Sequence, residues 1–200
     1  MPYSDFTLKK VKEQLNLQLV ENKDLFSSII EIGISEYLST TLKYNVPLAL
    51  AVGTEKFRSE LIVVNILLEV RRILKDEISL FSGVNLDIDK QKDLNGYCDF
   101  VISKSPEQYY LNAPVIAVVE AKNEYIAGGL GQCIAEMFAS HLFNEREGIS
   151  LKVYGAVTTG NTWKFLKYEA GLVYIDVPEY HITNAGKILA ILVSMVNQEA

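Results

Sequence analysis

The alternation of hydrophobic and polar positions is most regular between residues 95 and 137, where two short runs stand out. One is Gly96-Tyr97-Cys98-Asp99-Phe100-Val101-Ile102, and the other is Pro114-Val115-Ile116-Ala117-Val118-Val119-Glu120-Ala121-Lys122. Both are rich in Val, Ile and aromatics between Gly, Asn, Ser and Pro, so each predicts a strand. The polar stretch 105–113 predicts a long hairpin loop between them. Upstream, Phe6, Leu8, Val11 and Leu15 recur at helical spacing behind Ser4, a residue able to cap. Leu15, Leu17 and Leu19 then alternate as a short strand. A second helix, started by Asn22 or Asp24 and carrying Leu25, Ile29, Ile32, Tyr37 and Leu42, is expected to end before Pro47.

Thr54 caps a long apolar helix over 55–75, and a strand follows over 78–89 with Gly83 as a bulge. The segment 90–95 reads as a polar turn. After Lys122 the run 123–131, with Gly128, Gly129 and Gly131, predicts a loop into a helix reaching about residue 144, on which Gln132 and Glu136 lie one turn apart. A glycine-rich loop before a helix can cradle phosphate, but this one lacks the Lys-Ser/Thr of a P-loop. Strands are expected over 151–159, 163–168 and 172–177, joined by turns at Gly160-Asn161 and Ala170-Gly171. A closing helix starts at Thr183 or Asn184.

This order predicts an α/β fold, a mixed sheet with helices on both faces, preceded by an N-terminal α-helical extension. The 200 residues suit one domain, divided into an elaboration over 1–50, a core over 54–168 and a closing strand and helix over 169–200. A chain that is 49% hydrophobic and 22% charged belongs with folded rather than disordered proteins. No apolar run is long enough to span a bilayer, and the N-terminus lacks a signal pattern, so neither membrane insertion nor secretion is expected. Cys98 and Cys133 have no metal-site spacing and fit packed thiols in a reducing cytoplasm. The net charge of −6 counts against a broad basic grip on nucleic acid, since positive charge gathers only at Lys9, Lys10 and Lys12 and at Arg71, Arg72 and Lys75.

Candidate chemistry comes from the paired runs. An antiparallel register with Lys104 near Val115 sets Asp99 opposite Glu120, with directly opposed Cβ atoms about 5 Å apart. Lys122 falls on the face of Glu120 because strand side chains alternate. Two carboxylates this close are costly unless a cation or proton joins them, which points to a metal site. Each residue also has a plain structural reading. Asp99 can answer a backbone amide, Glu120 and Lys122 can form a strand-end ion pair, and Gln132 can sit at a helix start with no task. Glu60, on the face of Val64, Leu67 and Arg71, can be a partly solvated glutamate near a helix N-terminus. Tyr109 and Tyr110 in the connecting loop could stack on a base.

The ordered set Glu60, then Gly96-Tyr97-Cys98-Asp99, then Glu120-Ala121-Lys122, then Gln132 resembles the PD-(D/E)XK nuclease superfamily, most closely the nuclease domains of type I restriction enzymes. The likeness covers residues 54–168 and leaves the first fifty aside. It implies a restriction-endonuclease-like fold and a metal-dependent (endo)deoxyribonuclease hydrolysing phosphodiester bonds of DNA. Asp99, Glu120, the Ala121 carbonyl and Glu60 are implied as metal ligands, and Mg²⁺ or Mn²⁺ as the metal. Lys122 is implied to assist the attacking water, and Gln132 to be the helix glutamine of some branches. Two positions depart from the pattern: Cys98 stands where the eponymous proline would be, and Glu136 where a tyrosine often follows the glutamine. DNA is the implied partner, and a homodimer is compatible with the fold. A nuclease-like module kept for binding or assembly without turnover is the alternative.

Overall fold

The unbroken apolar run at 115–119 needs cover on both sides, and the fold provides it. In the computed structural model, which describes residues 3–199, a mixed eight-stranded sheet is flanked by helices on both faces. The strands are β1 (Gln18–Lys23), β2 (Ser79–Asn85), β3 (Tyr97–Ser103), β4 (Val115–Ala121), β5 (Val153–Thr158), β6 (Thr162–Glu169), β7 (Leu172–Asp176) and β8 (Tyr180–His181). They lie in the order β1-β7-β6-β5-β4-β3-β2, with β8 on β6. The β1–β7 and β4–β5 pairs are parallel and the rest antiparallel. A parallel pair requires a crossover, and the segment between β4 and β5 supplies a helix for it.

The helices are α1 (Leu8–Leu15), α2 (Glu36–Val52), α3 (Glu55–Arg58), α4 (Val64–Ile73), α5 (Ile126–Arg146) and α6 (Ala185–Val196). One core layer joins Val118, Val157 and Leu166 of the sheet to Val11 of α1 and to Cys133, Ile134 and Met137 of α5. The opposite layer joins Phe100, Val119, Ala156 and Phe165 to Leu38 of α2, Ile66 and Val70 of α4, and Ile188 and Leu192 of α6. Strand β4 is buried at every position, as expected of a central strand covered on both faces. The layout is consistent with the restriction-endonuclease-like arrangement. Among the described residues no helix is long and apolar enough to cross a membrane.

The first fifty residues depart most from the sequence-based expectations. Thr7 rather than Ser4 caps α1, accepting from the Lys10 N–H, and β1 adds a parallel strand to the sheet edge. Residues 24–35 are not helical, because tertiary groups satisfy their backbone. The Leu25 N–H donates to Asp176 Oδ1 at 2.7 Å and the Ile32 N–H to Gly186 O at 3.3 Å, while Lys187 Nζ donates to the carbonyls of Phe26 and Ile29. Gly186 permits this contact, since a Cβ there would lie 2.4 Å from Ile32 O. Helix α2 starts only at Glu36 and runs through Pro47. An internal proline costs about 3 kcal/mol. Leu42 and Ala49, buried on either side of it, and the bond from Asn45 Nδ2 to Leu61 O at 3.0 Å hold both halves of α2 against the core.

The long helix expected over 55–75 is interrupted. Between α3 and α4, Ser59–Val63 forms a π-helical turn in which the Val64 N–H reaches back five residues to Ser59 O. The glycine-rich segment is also not a loop. Helix α5 begins at Ile126, so Gly128, Gly129 and Gly131 lie in its first turns and no phosphate cradle forms. Gly131 is there for close approach, because a Cβ would meet Phe6 O at 2.4 Å and the Thr7 backbone at 2.7 Å.

Candidate active site

The candidate site forms where the start of β3 meets the end of β4. Phe100 pairs with Val119, so the register carries Asp99 to a place opposite Glu120, as the sequence predicts. At the other end of the pair the register shifts between Ile102 and Ser103, so Ser103 rather than Lys104 faces Val115. Strict alternation also breaks at Asp99: Cys98 packs in the α5-side core and Phe100 in the opposite one. Across from this break, β2 carries Gly83 at φ +64°, between the pairs Ser82–Phe100 and Val84–Cys98. The break leaves Asp99 free to turn over the strand end, where its Oδ2 accepts from the Ala121 N–H at 2.9 Å.

Glu120, 1% exposed, points to the α5 side. Its Oε1 accepts from Lys122 Nζ at 2.5 Å. The same ammonium donates to Gln132 Oε1 at 3.0 Å, and Gln132 Nε2 donates to Glu136 Oε1 at 3.0 Å. Glu136 is fully buried, and its carboxyl group lies within electrostatic reach of that of Glu120. Glu120 Oε2 and Glu136 Oε2 have no N–H or hydroxyl donor. A proton or a cation would satisfy each of these two buried oxygens. Glu120, Lys122, Gln132 and Glu136 thus form one buried chain of polar groups. Gly129 lets α5 approach it closely, since a Cβ there would lie 2.9 Å from Lys122 Cγ.

Burial dominates the electrostatics. It pushes the Glu120 carboxyl up from 4.5 to about 7, helped by the negative charge of Asp99 and opposed by Lys122. Glu136 rises well above the usual carboxylate range through its own burial and then the charge of Glu120. Burial also raises Asp99, against the Ala121 amide and Lys122. For Lys122, burial favours the neutral amine, but the carboxylates of Glu120, Glu55 and Asp99 together outweigh it and raise its pKa. The resulting set is an ammonium beside two buried carboxyl groups that hold their protons more tightly than usual.

Asp99, Glu120, Lys122 and Gln132 are therefore brought together. Glu60 is not part of the buried chain: it stands in the π turn, its side chain 56% exposed and 4.0 Å from Lys56. It does line, with Asp99, Ser59 and Glu55, a cleft of about 290 Å³ on the helix side of the strand end. The acid whose charge reaches Lys122 from this wall is Glu55, at the start of α3. Tyr109 is fully exposed in the β3–β4 loop, at the opposite end of β4 and about 20 Å along the strand, so neither it nor Tyr110 belongs to this site. Cys98, Cys133 and Trp163 are buried core. His141 pairs with Glu145 at 3.3 Å, and His181 Nδ1 accepts from the Thr183 N–H. Glu136 and Glu55 are the residues that the family pattern does not mark. The one-turn spacing of Gln132 and Glu136 is the signal that places the first of them beside the site. Compared with known proteins, the chain matches no family model, and no curated protein matches it.

Proposed function

We propose that the chain is a Mg²⁺- or Mn²⁺-dependent nuclease that hydrolyses phosphodiester bonds of DNA in the cytoplasm. The observation that carries this reading is the meeting of two strand-borne acids, Asp99 and Glu120, with the Lys122 ammonium at the exit of a buried strand. The donor set suits a hard divalent cation, being carboxylate and carbonyl oxygen throughout. Glu120 Oε2 is moreover a buried acceptor without a donor, the kind of oxygen that a cation or a proton satisfies. Among the described residues no group of three or more His, Cys, Asp or Glu side chains is arranged to hold a metal ion. Mg²⁺ needs no such group, since it is held through one or two carboxylates and keeps waters and substrate phosphates as further ligands. Asp99, Glu120 and the Ala121 carbonyl would hold it, with Glu60 acting from the cleft wall. A cation bound there supplies a water of lowered pKa and offsets charge on the phosphate.

The remaining work falls to the protein's own groups. Lys122, kept charged by its acidic neighbours and 25% exposed, can donate to a phosphate oxygen or hold the attacking water. Gln132 supports the ammonium from behind. The two buried free thiols, Cys98 and Cys133, suit a reducing compartment. In a cleavage assay on supercoiled, linear and single-stranded DNA, Mg²⁺ should support hydrolysis and a chelator should stop it. Lys122→Ala should abolish cleavage and retain metal binding; no metal-dependent cleavage of any DNA form would overturn the reading. A homodimer carrying one site per strand belongs to the same proposal and is read by sedimentation.

A second reading is a nuclease-like fold kept as a binding or assembly module. It draws on the net charge of −6 and on an ion pair that already occupies Lys122. Titrations showing neither metal nor DNA affinity, together with a defined oligomer or protein partner, would select it.

A further inference from the structure

Glu136 is the acid of the cluster that the family pattern leaves without a task, and it is the most deeply buried of them. We propose that Glu136 is a positioning residue: by accepting from Gln132 Nε2, it fixes the direction of the Gln132 amide and so holds the Lys122 ammonium in place. The proposal rests on the reading of Lys122 as the group that faces the reacting water and phosphate.

A glutamine amide has one donor end and one acceptor end, whereas an ammonium can only donate. Gln132 therefore supports Lys122 only when its oxygen faces Nζ, which places its nitrogen toward residue 136. An acceptor at 136 selects that orientation. Without one, the amide is as well placed flipped over, and its N–H groups then oppose the ammonium. The Glu136 carboxyl also lies within electrostatic reach of Glu120, the other partner of Lys122. Its backbone is firmly held, in the middle of a 21-residue helix, with Ser140 Oγ donating to Glu136 O at 2.8 Å.

Glutamine at 136 has the shape of a neutral glutamic acid. Its carbonyl can accept from Gln132 while its amide donates to Glu120. Leucine or methionine fills similar space and does neither. A packing role tolerates the apolar residues, whereas a positioning role tolerates only the glutamine.

The test reads the ¹⁵Nζ ammonium resonance of Lys122 in metal-free protein without substrate, assigned by its disappearance in Lys122→Met. The resonance should be slowed in exchange and visible in the wild type, retained in Glu136→Gln, and lost in Glu136→Leu and Glu136→Met variants whose circular dichroism shows them folded. In cleavage, the apolar variants should lose about 10- to 100-fold in kcat, the range seen when a supporting partner of a site residue is removed. Their KM should change little, and Glu136→Gln should stay near wild type. Retention of the signal in a folded apolar variant would overturn the proposal. If neither apolar variant folds, Glu136→Gln decides, because loss of the signal there contradicts the role and its retention supports it. Because the resonance is read without turnover, an inactive wild type would sink the nuclease reading and leave this result standing.

Discussion

Gathering acids in a dry site should reverse the usual dependence of stability on pH. The folded state holds the Glu120 proton more tightly than the unfolded chain does, with the pKa raised from 4.5 to about 7. A group shifted this way stabilises the fold fully below its unfolded pKa. That contribution is lost as pH rises from about 4.5 to about 7, and it is constant above. The gap corresponds to about 3–4 kcal/mol, at about 1.4 kcal/mol per pH unit. Glu136 and Asp99 are both raised by burial and act in the same direction. Urea unfolding in the presence of a chelator should therefore show the midpoint falling across this window, whereas carboxylates in surface ion pairs are ionised in both states there and leave stability nearly flat. Glu120→Gln should remove much of the slope. Saturating Mg²⁺ at the upper end should restore stability, by about 2.7 kcal/mol at a concentration one hundred times Kd. A stability that is flat or rises over the window in metal-free protein would show that these carboxyl groups do not meet in a low-dielectric site.

Other consequences are simpler to read. Gly131→Ala should cost about 1–3 kcal/mol or more, because the new Cβ meets Phe6 and Thr7 backbone and neither can move aside. Gly33→Ala, with open space around the position, should be close to neutral, and thermal unfolding of the two variants makes the comparison. Asn144 exchanges two 2.7 Å hydrogen bonds with the Val115 backbone at the start of β4, and Asn144→Leu should cost about 2–4 kcal/mol by leaving both groups unpaired, measured by urea unfolding. Asp176→Ala should cost a similar amount, since it strips the Leu25 N–H and the buried Tyr180 hydroxyl of their acceptor.

What could be read from the sequence follows the range of the forces involved. The strands β3 and β4 were legible because a strand covered on both faces must be apolar, and the turns at Gly160 and Ala170-Gly171 because their positive φ values favour particular residues. The opposition of Asp99 and Glu120 followed from pairing two neighbouring strands, although the loop-end register slipped at a bulge that no local signal marks. Residues 24–35 carry helical spacing but spend their backbone groups on Asp176, Gly186 and Lys187, all distant in sequence. Glu60 lies in a π turn that leaves the hydrophobic pattern of the helix nearly unchanged, so its place on the cleft wall has no local signal. Glu136 looks like an ordinary helix glutamate until the face of Glu120 is known. Only the packing of α5 on β4 brings it beside that carboxyl group.

The most direct measurement is anomalous diffraction from a crystal soaked in Mn²⁺. The account predicts a single strong peak between the carboxyl groups of Asp99 and Glu120, within ligand distance of both and of the Ala121 carbonyl. Saturating Mn²⁺ with no peak there, or with the ion bound elsewhere, would contradict it.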